Sequence, residues 1–218
     1  MPRKRALTVI APALLLFLWP ARPVRATGQV RMYFDVQGSV LRAKKSPPDL
    51  SLFGREESRF WSDGLEYVKT SAGARARVRA WLSLAAYYAH QDYVSPEPKA
   101  KHMAVADVIL AHRFGRGLGL GQRNEFEWHV TDAYFRYRCQ LTARWTTPLR
   151  RLAIWGSGEF RVDADAGRVN MYNLLAGITI RLSKIFRLQP FYGYEATRRG
   201  KPSWTGTHYL GLLLGVRG

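Results

Sequence analysis

The sequence predicts an all-β protein, an antiparallel transmembrane β-barrel of about ten strands joined as an up-and-down meander. Three observations carry this. Apolar and polar residues alternate with a period of two over long stretches, the pattern of strands with one apolar and one polar face. Beyond residue 26 no apolar run approaches the length of a membrane helix; Trp81 to Ala89, among the longest uncharged stretches, falls far short. The alternating stretches also suit the ~9–11 tilted residues that cross a bilayer better than the ~5–6 usual in soluble sheets.

The chain opens with an export signal. Arg3, Lys4 and Arg5 form a positive cluster, Ala6 to Ala21 an apolar stretch, and Val24-Arg25-Ala26 a small-x-small site favouring cleavage after Ala26. A retained anchor is the competing reading, but Pro12 and Pro20 interrupt the stretch, and a spanning helix needs roughly 20 continuous apolar residues. The expected product is therefore residues 27–218, a single domain without a linker.

Ten strands are predicted in order: 29–42, 59–69, 75–90, 103–114, 119–131, 134–146, 152–162, 170–182, 186–197 and 207–217. The first sets Val30, Met32, Phe34 and Val36 against Arg31, Tyr33, Asp35 and Gln37. In 75–90, Arg77, Arg79 and Ser83 alternate with Val78, Leu82 and Leu84. The clearest pair comes next. Phe126, Trp128 and Val130 oppose Arg123, Glu125, Glu127 and His129; Phe135, Tyr137, Cys139, Leu141, Ala143 and Trp145 oppose Arg136, Arg138, Gln140, Thr142 and Arg144. Tyr172, Leu174, Ala176, Ile178, Ile180 and Leu182 then alternate with Asn173, Gly177, Thr179 and Arg181, and Leu210, Leu212, Leu214 and Val216 close the series.

Between these strands, long connections (43–58, 91–102, 163–169, 198–206) alternate with short ones (70–74, 115–118, 147–151, 183–185). Extracellular loops and periplasmic turns produce that alternation. The connection at Asp132-Ala133 is the exception. An even strand count would place both termini on the periplasmic side. A two-residue turn at Asp132-Ala133 would set Glu127 opposite Arg138 and His129 opposite Arg136.

A soluble periplasmic barrel of the lipocalin kind has the same period with its faces exchanged. Three features favour the membrane. The polar face is rich in Arg, Glu, Tyr and Gly; aromatic residues recur near expected strand ends (Trp61, Tyr87, Tyr88, Trp145, Phe186, Tyr192), as interfacial girdles require; and the strands are long. One arginine facing lipid at mid-bilayer costs about 2–4 kcal/mol. Arg136, Arg138, Arg144 and Arg181 must then face the interior.

The net charge of +18 falls to +13 without the first 26 residues, which carry five basic residues and no acid. A nucleic-acid partner is not expected, because the chain is exported and its basic residues are spread along strands. The mature chain holds 22 Arg and seven Lys. Arg suits packed, paired positions, so the excess reads as an internal ion-pair lattice with attraction to anionic lipid.

The lumen-lining charged candidates are Arg123, Glu125, Glu127, Arg136, Arg138, Arg144, Glu159, Arg161 and Arg181. They form either a passage or ligand-orienting surface, or a plug, since barrels of about eight strands are filled by side chains and water channels appear near 16–18. No catalytic residue is assigned. A lipid-modifying acyl hydrolase or transferase would draw its base from His112, His129 or His208, its hydroxyl from Ser83 or Ser157, and its orienting group from Glu125 or Glu159, but no motif links them. Gly115-Arg116-Gly117-Leu118-Gly119 lacks the helix and Lys-Ser/Thr of a phosphate loop and reads as a turn. No metal or cofactor is expected. The five His form no i, i+2 pair on one strand face. Cys139, the only cysteine, allows no intrachain disulfide.

The segments Arg123-Asn124-Glu125-Phe126-Glu127, Phe135-Arg136-Tyr137-Arg138 and Tyr172-Asn173 with Gly177 resemble those of domain-of-unknown-function family 2490, uncharacterised outer-membrane barrels of Gram-negative bacteria. The resemblance covers most of the chain after residue 26 and is clearest from Met103 to Tyr194. It departs at Leu174, where the family pattern has Arg, and at Gly218, where exported barrels usually end on an aromatic residue. It implies a barrel, and brings no activity or catalytic residues. The expected setting is the outer membrane, with lipid, lipopolysaccharide and the barrel-assembly machinery as partners and the monomer as the state. The expected role is structural, or the binding or passage of a small solute.

Overall fold

The computed structural model describes residues 25–27, 32–43, 49–61, 64–94, 98–115, 117–149, 151–164, 167–184, 186–198 and 203–216, with side chains from Asp49 onward except Trp61 and Val216. The expected export signal lies outside these residues, apart from Arg25 and Ala26. The described residues are strands and short connections: β1 (Arg25–Thr27), β2 (Met32–Ala43), β3 (Asp49–Trp61), β4 (Gly64–Arg79), β5 (Leu82–Tyr93), β6 (Lys99–Phe114), β7 (Leu118–His129), β8 (Tyr134–Thr146), β9 (Leu152–Asp163), β10 (Arg168–Arg181), β11 (Phe186–Thr197) and β12 (Thr205–Val216).

From β2 to β12 each strand pairs antiparallel with the next, and β12 returns to pair with β2, joining the two edges of the sheet. The fold is thus the all-β, up-and-down barrel that the alternation predicts. Among the described residues it has eleven long strands plus β1. The additional strand comes from 43–58, expected as a loop, most of which is β3. Two expected strands, 59–69 and 75–90, each run across a connection, at 62–63 and 80–81. Ala80-Trp81 contains none of the Gly, Asn or Asp that mark a tight hairpin, so the sequence conceals it. All connections between the long strands are short, from two residues at 80–81 to seven at 198–204. The expected alternation of loop lengths disappears with the extra strand.

An odd count has a second consequence. β2 and β12 run parallel, so Met32 and Val216 lie at opposite ends of the barrel, not at the same end as an even count requires. The seam is also short, with six residue pairs from Leu210↔Met32 to Gly215↔Gln37, against twelve between β6 and β7.

The β7–β8 hairpin corrects the expected register. Glu127 lies opposite Arg136, Glu125 opposite Arg138 and His129 opposite Tyr134. The turn takes four residues, 130–133, with Ala133 left-handed at φ 51°. Two extra residues slide the register by two, so every side chain keeps its face and changes its partner.

Most large outward residues are apolar or aromatic. Trp81, Trp128, Trp145, Ile154, Leu174 and Leu210 are each about half exposed. Trp81, Phe114, Trp145 and Phe186 ring one rim; Trp128 and Tyr172 lie toward the other, where Tyr172 packs on Trp204, while Tyr192, expected near a strand end, stands midway along β11. Tyr88 points outward with this set, but Tyr87 points inward and binds Glu125. The side chain of Trp61 lies outside the described residues. Two polar residues interrupt the outward face of β7, and both are satisfied: Gln122 donates to Asn124 at 3.1 Å, and Tyr137 donates to Asn124 at 2.7 Å.

Parallel pairing is slightly less stable per residue than antiparallel, and this seam has half the length of the ladders opposite it. Amides of the β2–β12 seam are therefore expected to exchange with deuterium well before those of the β6–β9 ladders. Uniform protection around the barrel would contradict this.

Candidate functional site

Period-two alternation brings the charged residues together. In β7, Arg123, Glu125 and Glu127 share the inward face because each lies two residues from the next. Arg136 and Arg138 do the same in β8, and Glu159, Arg161 and Asp163 in β9. The ladder then sets Glu125, Arg138 and Arg161 in line across β7, β8 and β9, and Glu127, Arg136 and Asp163 likewise.

The contacts form one lattice. Arg138 reaches Glu125 at 3.0 Å, Glu159 at 3.2 Å and Glu127 at 3.9 Å. Arg123 binds Asp107 at 2.8 Å, pairs with Glu125, and donates to the Tyr87 hydroxyl at 2.9 Å. That hydroxyl in turn donates to Glu125 at 2.8 Å. Arg136 joins Asp163 at 2.9 Å to Glu127 at 3.5 Å and lies over the Tyr134 ring. His129 meets Glu127 at 3.1 Å and stacks on Tyr134. Arg161 reaches Glu159 at 3.4 Å.

Glu125 and Glu127 are each 1% exposed. Beside them Ala89, Met103 and Val105 form a small dry cluster, with Tyr87 packed against it. This half of the lumen, toward the rim at which β5, β7 and β9 end, is filled by these described side chains.

A second set completes it across the seam. Arg59 of β3 reaches Glu195 of β11 at 3.0 Å and Glu66 of β4 at 3.7 Å. Glu66 can do so because a bulge beside Phe60 turns both Glu66 and Tyr67 inward. Tyr67 donates to Glu57, and Tyr209 donates to Asn173 at 2.7 Å.

Arg144 and Arg181 stand apart from this lattice. They lie in the other half of the lumen, toward the rim at which β4, β6, β8 and β10 end, around a cavity shared with Arg113 and Arg151.

Sequence reasoning missed Tyr87, Asp107, Asp163, Arg59, Glu66 and Glu195. Asp107 and Glu195 left a signal, each a lone acid in an otherwise uncharged strand core. Arg59 left none, since it stood at the first position of the expected strand 59–69, cut off from the rest of β3, which was expected as the loop 43–58. The residues considered for catalysis do not converge. His129 contacts Glu127, His208 contacts Tyr192 on the outer face, His112 packs on Phe114, and Ser157 accepts from Thr142 at 3.4 Å. His90 and His102 approach to 3.3 Å on the outer face, across strands rather than along one. Among the described residues no cluster of three His, Cys, Asp or Glu could hold a metal ion. Buried Cys139 receives a long contact from Gln122 at 3.8 Å.

Together these features define a class: a meandering β-barrel with a greasy outside and a charge-filled inside. The chain belongs to domain-of-unknown-function family 2490, a family of proteins of unknown function whose pattern matches residues 34–206. No curated protein matches it. The segments that carry the family resemblance are largely the lattice itself: Arg123, Glu125, Glu127, Arg136 and Arg138 are its central members.

Two outcomes follow. Removing one partner of a buried ion pair typically costs about 3–5 kcal/mol, whereas replacing the whole set by apolar groups is often neutral. Arg138→Gln is therefore expected to destabilise by about that amount in denaturant unfolding, and Arg138→Met combined with Glu125→Leu and Glu159→Leu by less; an equal or greater loss in the triple variant would argue against the lattice. At the rim, Lys99 and Lys101 donate to Asp132 at 2.6 and 3.1 Å. These bonds, chiefly that from Lys99, hold its carboxyl below the usual value. Their stabilisation is full above the ordinary carboxylate pKa and is lost as pH falls through the depressed one. Asp132→Asn should cost no more than about 1 kcal/mol at neutral pH, as exposed pairs do, and nothing in strong acid. A cost independent of pH would contradict this.

Proposed function

We propose that the protein spans the outer membrane of a Gram-negative bacterium as a monomeric barrel and uses its lumen to bind a small solute from one end. The observation that carries the membrane reading is the inversion of its faces. Buried positions hold Glu125, Glu127, Asp107 and Glu195, while tryptophan, leucine and isoleucine are exposed around the outside. In water such an outer surface would form apolar patches beyond what monomeric proteins tolerate; in lipid it is the required belt, with aromatic residues at its margins. The positive, apolar and small-residue segments of residues 1–26 supply the export route.

Binding is favoured over free passage by the filled half of the lumen. The Arg–Glu lattice and the dry Ala89–Met103–Val105 cluster occupy the section toward one rim, as expected for a barrel nearer eight strands than sixteen. The other half is open and basic.

Cell fractionation tests the location: the protein should sediment with outer membranes, require detergent for release, and migrate differently on gels before and after heating. Recovery in the soluble periplasm without detergent would defeat the membrane reading. In planar bilayers the folded protein should show no steady conductance. A constant ohmic current from single insertions would establish an open pore and overturn the closed lumen.

A further inference from the structure

We infer that the open half of the lumen is a binding site for a small multivalent oxyanion bearing phosphate groups, held by Arg113, Arg144, Arg151 and Arg181. The inference names the ligand of the binding function proposed above and rests on that reading of the lumen.

The four arginines line one cavity of about 270 Å³, with the hydroxyls of Thr146 and Thr179 at its wall. That volume lies just under the roughly 300–1,000 Å³ of sites for drug-sized ligands, so the occupant is small. Its base is made of strand residues, not flexible loop. Arg113, Gly119 and Arg144 are successive partners on one rung of β6, β7 and β8. Gly119 has no side chain, and this leaves the hollow between the two arginines. A Cβ there would meet only backbone oxygens at 3.8 Å, so a larger residue fits and would fill the space.

The charge balance separates this half from the other. Every arginine of the lattice has a carboxylate within 4 Å. Here Arg144 faces the like charges of Arg113, Arg151 and Arg181 around one cavity. Arg181 stands directly opposite Arg187 across β10 and β11, a like-charge pairing that destabilises a sheet. The barrel pairs its arginines with carboxylates at one end, and at the other it gathers Arg113, Arg144, Arg151 and Arg181, none of which has a carboxylate within 4 Å among the described residues. An anion arriving from solution supplies the missing charge.

Arginine forks match oxyanions in two-point fashion, and several converging cations favour a multivalent anion over a single carboxylate. Such phosphate chemistry comes from a soluble phosphate compound or from a lipid headgroup at the rim.

The test is titration of the detergent-folded full chain with inorganic pyrophosphate by calorimetry, with gel mobility before and after heating to verify folding of each variant. Wild type should bind saturably. Arg144→Gln and Arg181→Gln should each weaken binding roughly ten- to a hundred-fold, as loss of a charge-assisted contact does. Gly119→Leu should block the site by filling it, and Lys99→Gln at the opposite rim should change nothing. Without pyrophosphate, Arg181→Gln should unfold at a higher temperature than wild type, and added pyrophosphate should raise the wild-type midpoint only. Repeating the titration in nanodiscs separates the sources. Binding in zwitterionic discs that disappears when phosphatidic acid is included identifies a lipid headgroup as the occupant; binding in both identifies a soluble phosphate compound. No saturable binding by folded wild type, or binding unaffected by all three cavity variants, overturns the inference. The membrane reading fails separately, by fractionation, and the same titration on a soluble protein would still decide the anion site.

Discussion

Ionised side chains removed from water must find opposite charges, and this governs the arrangement of the whole molecule. An isolated buried carboxylate or guanidinium costs several kcal/mol even after relaxation. Glu125 and Glu127 are nonetheless nearly inaccessible, and they are sustained by Arg123, Arg136 and Arg138 on the same and neighbouring strands. That arrangement demands a fixed phase in β7, β8 and β9. A slip of one residue in any of them would turn arginines outward and bring tryptophan and phenylalanine into the lattice. A slip of two keeps the phase and exchanges partners, which is the difference between the expected and observed registers of the β7–β8 hairpin. Face selection here is strict, while partner selection is left to the turn.

The outer face obeys the complementary rule. Backbone groups in lipid must be satisfied internally, and closing the sheet achieves this. Polar side chains on the outer face of a barrel set in lipid would meet the same requirement. Gln122, Asn124 and Tyr137 meet it by bonding to one another, so an interruption of the apolar belt is compatible with a lipid setting. The Tyr88–His102 and Tyr192–His208 contacts likewise pair polar tips on otherwise flat aromatic surfaces of the outer face.

The fold class was legible because alternation is a backbone property: wherever one face is charged and the other apolar, as in Arg123 to Val130, the phase can be read directly. It was illegible where both faces carry the same chemistry. In β6, Val105 and Ile109 point inward while Ala104, Ala106 and Val108 alternate with them, so Asp107 could not be assigned a side by pattern. β3 was hidden for another reason. Its inward Arg55, Glu57 and Arg59 lie beside Glu56 and Ser58, and a strand polar on consecutive positions looks like a loop. The Ala80-Trp81 turn lacks any residue that announces a turn. The central members of the charge lattice were visible as residue types on a face, but their partners were not, since partnership depends on register and on contacts several strands apart.

Those distant contacts bear on how the barrel closes. The β2–β12 seam has few residue pairs and the weaker parallel geometry, and β1 adds only three more pairs along β12. If the chain is cut after Ala26, only Thr27 of β1 remains. Arg59 and Glu195 sit on β3 and β11, the strands flanking that seam, and their 3.0 Å contact passes over β2 and β12 inside the lumen. The bond is buried, and burial keeps it from being screened as a surface pair would be. It therefore ties together the two sides of the joint where the backbone ladder is shortest. The bulge that turns Glu66 inward places a second carboxylate on Arg59 and steadies the guanidinium at that crossing. In this barrel the charged interior does more than fill space: it closes with side chains the circle that the parallel strands close only in part.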